Sequence, residues 1–214
     1  MSTPRTALHI IHGYNEPFLS LSNQYSRALQ SDGWRVITVY LSGKPDTAIR
    51  QNTVADAVIF FDASEKKMKG LKLGLIMRVR KLIQQHQVTL LVAQRYKPLY
   101  LALLGSAGST IPVIGVAHAF GVLKNRARRC LLRLFRQRLL LLGVSEAVTN
   151  DMRAYENEIK KQALHNCIDS AALEKNLLSR TMAREKLALR DEEFVFANVG
   201  RLHDDKDQST LIRA

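Results

Sequence analysis

The sequence is poor in the residues that build cross-linked or membrane-spanning proteins. Its 214 residues hold two cysteines, Cys130 and Cys167, distant from each other and in no CxxC pair. That argues against disulfide or zinc scaffolding and fits a reducing compartment. No uncharged apolar run approaches the ~18 residues that a membrane span requires. The N-terminal run from Ala7 to Ile11 is interrupted by His9 and ended by His12-Gly13, too soon for a signal peptide. Low-complexity tracts and repeats are missing too, so disorder is not the default reading. Neither GxGxxG nor a Walker lysine motif follows the first apolar run, which leaves dinucleotide and P-loop sites without support. Aromatics make up 7% of residues and do not interleave with basic ones, against base stacking.

Acid is the other scarce component. Thirty-two Lys and Arg stand against 19 Asp and Glu, a formal charge of +13. Such an excess points to an anionic partner: nucleic acid, a membrane surface or a phosphorylated substrate. Two stretches, 66–81 and 122–138, each carry seven positive charges and no acid. Both have leucines at helical spacing. Each can lie along an anionic bilayer with its apolar side inward. Each can equally be an amphipathic helix packed on a sheet, its charges solvated. The missing acids favour a phosphate-rich or membrane-bound partner, with Lys66, Lys67, Lys69, Lys72, Arg126, Arg128, Arg129 and Arg133 as the cationic patch that meets it.

What is present is a core. Hydrophobic residues reach 46%, enough for one large domain or one domain and part of another. Short apolar runs at 6–12, 34–41, 57–61, 88–93, 111–118 and 139–145 alternate with helical stretches at 19–30, 69–86, 99–104 and 122–138. Buried β-rich runs separated by helices predict a parallel sheet covered on both faces, a doubly wound α/β domain. The pattern loosens after about residue 165. A polar helix at 179–193 then leads to a further strand, 194–199, and a helix start. The expected organisation is a first domain over 1–165, a linker over 166–192 and the beginning of a second α/β domain over 193–214.

In such a sheet ligands bind beyond the carboxyl ends of the strands. After the first strand comes HGYNEPF, with Gly13, Tyr14 and Asn15 as a candidate phosphate or acceptor loop. Gly13 would permit close backbone approach to an anion, or serve only as a turn before a helix. After the fifth comes His118, where a neutral imidazole can bond a substrate hydroxyl or stay structural. After the last expected strand come Arg201 and Lys206, a planar fork and a point charge suited to a diphosphate. Asp204 and Asp205 there read as helix caps or carboxylates of a site.

These residues carry a resemblance. VGRLHDDKDQSTLIRA is similar to the segment opening the second domain of GT-B fold retaining glycosyltransferases of family four. PVIGVAHAF resembles that family's strand ending in the donor-site histidine, and LLGVSEAVTNDM its strand-to-helix step. LHNCIDSAAL resembles the Asn-Gly-Ile-Asp segment before the linker, with Cys167 in place of the usual glycine. REKLALRDEEFVFANVGRL is similar to the linker helix running into the second domain. The resemblance implies a two-domain enzyme moving a sugar from a nucleotide-diphosphate donor, with retention and no required metal or other cofactor. Arg201 and Lys206 correspond to donor-diphosphate residues and His118 to the histidine near the transferred sugar. The loop at Gly13 matches by its glycine alone. The family's paired glutamates fall beyond residue 214, so the chain is expected to be an inactive acceptor-side fragment with a stub of donor domain. Lipid-linked or lipopolysaccharide acceptors would suit the basic surface, and with it a cytoplasmic enzyme peripheral to the inner face of a membrane. The competing expectation is a nucleic-acid- or membrane-binding module without catalysis.

Overall fold

The computed structural model describes residues 5–200 and 202–214, without the side chains of Ala172 and Asp205. They form two units, one ending at Ile168 and one spanning Asp169–Ala214.

The first unit alternates strand and helix. Its strands are β1 (Thr6–Ile11), β2 (Arg35–Tyr40), β3 (Ala57–Phe60), β4 (Leu90–Gln94), β5 (Val113–Ala117), β6 (Leu139–Gly143) and β7 (Lys160–Ala163). Its helices are α1 (Phe18–Ser31), α2 (Thr47–Asn52), α3 (Leu73–Gln85), α4 (Tyr96–Gly105), α5 (Arg126–Leu134) and α6 (Glu146–Tyr155). The strands make one seven-stranded sheet in the order β3-β2-β1-β4-β5-β6-β7. Every neighbouring pair is parallel. This is the expected doubly wound, Rossmann-like α/β sheet.

The apolar pattern explains the layering. β1 is buried along its whole length, so both of its faces must be covered. Leu8 and Ile10 join Ile37 and Val39 in the main cluster, against Val79 and Ile83 of α3 and Leu99 of α4. His9 and Ile11 lie on the alternate face, against Ser26 and Leu19 of α1. Small Ser22 and Ser26, both buried, let α1 lie close to the sheet. The order reverses between β2-β1 and β4-β5, so a crevice opens where the chains leave β1 and β4 in opposite directions.

Several boundaries differ from the sequence pattern. The 69–86 helix begins only at Leu73, because Lys72 sits in the left-handed region at φ 55° and breaks the turn at 66–72 away from it. The 122–138 helix is restricted to Arg126–Leu134, since Gly121 at φ 73° turns the chain and Asn125 caps the new start by accepting from the Arg128 N–H. β7, KKQA, has no apolar pattern to announce it. It is an edge strand, and lysines at an edge discourage pairing with other chains.

The second unit holds α7 (Ser170–Glu174), α8 (Arg180–Lys186) and α9 (Gln208–Arg213). The expected strand at 194–199 does not form: Phe194 is 84% exposed and Val199 fully so. A parallel strand needs a partner ladder, and among the described residues of this unit there is none. The polar helix expected to reach 193 stops at Lys186, with Ala188 following at φ 53°. Arg184 closes that turn by donating to the carbonyls of Arg190 and Glu193. Asp207, not Asp204 or Asp205, occupies the N-cap position of α9.

The close approach of α6 to the end of β6 gives a test of this packing. A methyl group on Gly143 would stand 2.8 Å from the Thr149 amide nitrogen and 2.3 Å from its hydroxyl. Backbone cannot yield as a side-chain tip can. Gly143→Ala is therefore expected to destabilise the fold by about 1–3 kcal/mol in urea denaturation, and an unchanged midpoint would contradict this helix placement.

Candidate functional site

A cavity of about 250 Å³ opens at the crevice between β1 and β4, lined among others by His12, Gly13, Asn15, Phe18, Gln94 and Arg95. The loop after β1 supplies its floor. A methyl on Gly13 would meet the Ser42 hydroxyl at 2.9 Å, so glycine allows the loops after β1 and β2 to touch. Asn15 lines the cavity, and its carbonyl accepts from the Phe18 amide at the start of α1. Tyr14 braces the loop instead. Its hydroxyl donates to the Lys44 carbonyl at 3.1 Å, and its ring stands edge-on to Tyr40.

Beneath the cavity runs a chain of polar groups. His9, fully buried in the middle of β1, has Ser26 Oγ 3.2 Å from Nδ1 and Gln94 Nε2 3.1 Å from Nε2. Gln94 Oε1 lies 2.6 Å from His118 Nε2. An amide nitrogen can only donate and an amide oxygen only accept. His9 Nε2 is thus the acceptor and Nδ1–H donates to Ser26. His118 must then donate from Nε2–H, leaving Nδ1 with the lone pair. Burial pushes the His9 imidazole down to about 3. Burial first, and the Arg95 charge second, pushes His118 down to about 4. At neutral pH His118 is an uncharged acceptor whose ring is also held edge-on by Phe18.

The sequence pattern ends the fourth strand at Ala93 and so misses Gln94 and Arg95. The strand runs one residue further, and the signal was available: two polar residues directly after a run of Leu, Val and Ala. Arg95 lays its guanidinium over the Phe18 ring, 3.8 Å from the centroid.

The other expected residues lie elsewhere. Arg201 lies outside the described residues. Lys206 is exposed in a short turn of the second unit, its amide bonded to the His203 carbonyl. The two basic stretches prove unlike. In 122–138, Arg128 and Arg129 donate to the carbonyls of Val122 and Leu123. Arg133 pairs with buried Glu156 at 2.5 Å, and Arg136 reaches Glu158. Arg138 donates to the Ile111 carbonyl at 2.7 Å. The acids missing from the stretch are supplied from the segment before β7. These arginines tie the fold, while Arg126 is exposed. In 66–81, Lys66, Lys67 and Lys69 are exposed and Lys72 donates to the Gly70 carbonyl. With Leu73 and Arg78 they line a second cavity of about 370 Å³, beside exposed Leu71 and Met77. Among the described residues no three His, Cys, Asp or Glu side chains cluster as a cation site would need, and no helix is long and apolar enough to cross a membrane.

A doubly wound parallel sheet with a crevice at the strand-order reversal is the architecture of the Rossmann-like half of the GT-B class. The chain belongs to glycosyltransferase family 4, whose model matches residues 23–172. It is similar in structure to sucrose-phosphate synthase from Thermosynechococcus elongatus, with TM-score 0.70 and 13% identity over 98% of this chain and 59% of that one. A glycosyltransferase from Rickettsia africae gives TM-score 0.66 and 12% identity over 89% of this chain and 51% of that one. UDP-GlcNAc 2-epimerase from Neisseria meningitidis, in a structure bound to UDP-GlcNAc, gives 0.55 and 12% over 87% and 55%. The chain thus spans somewhat more than half the length of these structures. No curated protein sequence matches it.

The relay makes two measurable statements. Long-range ¹H–¹⁵N spectra should show His118 as the Nε2–H tautomer, still neutral at pH 5, and Gln94→Leu should release that preference. An Nδ1–H tautomer in the wild type would contradict the hydrogen-bond assignment. Both imidazoles titrate near 6.5 once unfolded, so below that pH the unfolded chain binds more protons than the native one. Stability should therefore be intact above pH 6.5 and fall as the pH drops towards 4. A urea midpoint that stays level over that window would contradict the burial of both rings.

Proposed function

We propose that the chain supplies the acceptor-side half of an enzyme that transfers a sugar from a nucleotide-diphosphate donor to a glycan or lipid-linked acceptor, with retention at the anomeric carbon. Family membership supports glycosyl transfer as the reaction, and the epimerase bound to UDP-GlcNAc supports a nucleotide sugar as the ligand class. The observation that carries the reading is His118 at the end of β5, kept neutral beside the switch-point cavity. Its Nδ1 lone pair can accept from a hydroxyl of the transferred sugar and so fix the anomeric carbon. As the glycosidic bond breaks, charge gathers on the departing diphosphate. Arg201 and Lys206 are the cations proposed to receive it.

A complete donor domain is needed to close such a site and exclude water. Residues 193–214 are read as the opening of that domain. Synthesis of lipopolysaccharide or another cell-surface polysaccharide suits the proposal. Exposed Lys66, Lys67 and Lys69 beside Leu71, Leu73 and Met77 support docking on the anionic inner face of a membrane, each lysine contributing roughly 1 kcal/mol. A nucleic-acid-binding module is not favoured, since family membership supports sugar transfer.

In a two-domain enzyme carrying the full donor domain, Arg201→Ala or Lys206→Ala is expected to lower kcat/KM by about 10- to 150-fold. His118→Ala is expected to lower turnover about tenfold with the fold intact. Near-wild-type transfer in all three variants would sink the proposal. For the membrane, the chain should sediment with phosphatidylserine vesicles at low salt and detach as salt rises. Combined Lys66→Glu, Lys67→Glu and Lys69→Glu should abolish sedimentation, whereas unchanged binding would remove this surface from any membrane role.

A further inference from the structure

The backbone of Arg95 stands at φ 75°, ψ 170°, a region left almost entirely to glycine. It is held there from both sides: its N–H donates to the Val116 carbonyl at 2.9 Å, and its own carbonyl accepts from Leu99 at 3.2 Å. Strain of this kind persists where it aims a side chain. The guanidinium rests on Phe18 and has no carboxylate or carbonyl partner among the described residues. Its contrast with Arg78, Arg80 and Arg138, which all donate to main-chain carbonyls, is plain. No acid lines the cavity, and nearby Glu16 is occupied by the Ser20 hydroxyl at 2.9 Å. Burial first, then the positive charges of Lys97 and Arg95, depress His12 on the cavity wall. The space of about 250 Å³ can take a sugar ring with a phosphate.

We propose that this cavity anchors an acceptor bearing a phosphomonoester, its phosphate forked by Arg95, its sugar hydroxyls facing Asn15. That the ligand is an acceptor rests on the transferase reading above; the phosphate site rests on the cavity itself. The site explains why a strained arginine stands where glycine would be easier.

Glucose 6-phosphate is a suitable probe, added to the 214-residue chain with no donor present and followed through the ring signals of His12 and His118. Saturable shifts are expected with the phosphate and none with glucose. Arg95→Gln should weaken binding about tenfold or more, its amide spectrum confirming the fold. Arg95→Gly should lose binding as fully yet melt at a higher temperature, because the backbone is relieved. Equal affinity in Arg95→Gln, or glucose binding as well as its phosphate, would overturn the phosphate site. An Arg95→Gly protein that melts no higher would overturn the role of strain. Uridine monophosphate binding more tightly than glucose 6-phosphate would overturn the acceptor assignment and make this a donor subsite. Since no turnover is measured, each of these failures leaves the transferase reading standing, and a failure of transfer leaves the phosphate site standing.

Discussion

An imidazole buried in the middle of a sheet must have both nitrogens paired, and the carboxyl edge of this sheet depends on that requirement. His9 sits in β1, an interior strand, with no exposure at all. Ser26 on α1 satisfies one nitrogen and Gln94 at the end of β4 the other. The demand of one side chain thereby fixes the seat of a helix, the orientation of a carboxamide and, through it, the tautomer of His118. Removing any member would leave a buried donor or acceptor without a partner, which costs more than a missing apolar contact of the same size. Of its members Gln94 lines the cavity, and His118 is bonded to it.

The positive charge of the two basic stretches is used differently. Arginines of the 122–138 stretch direct their planar forks to carbonyls and to Glu156 and Glu158, holding α5 to the segment that leads into β7. A guanidinium is less strongly hydrated than an ammonium and tolerates such half-buried posts. The lysines before α3 stay in solvent. The two basic stretches thus play unlike parts within a net charge of +13, one tying the fold and one left largely in solvent.

The legible part of the sequence was whatever burial writes as a run. β1, β2, β4, β5 and β6 are apolar and short, and their spacing by helices implied the parallel sheet. His118 was legible because it ends such a run. β7 was not, since an edge strand of lysine, glutamine and alanine carries its reason in its neighbour β6. Gln94 and Arg95 escaped because their significance is a matter of partners 85 residues away in one case and of a backbone angle in the other. The segment 194–199 misled in the opposite direction: FVFANV has the composition of a strand, but composition cannot supply the ladder that a strand requires.

Whether a sugar lies against His118 decides between a transferase half-site and a merely well-packed sheet edge. In the two-domain enzyme, intermolecular NOEs measured with UDP-N-acetylglucosamine as the probe address this directly. Cross-peaks between the His118 ring protons and the hexose protons are the predicted result. Binding with cross-peaks only to other residues, His118 remaining silent, would contradict the central claim.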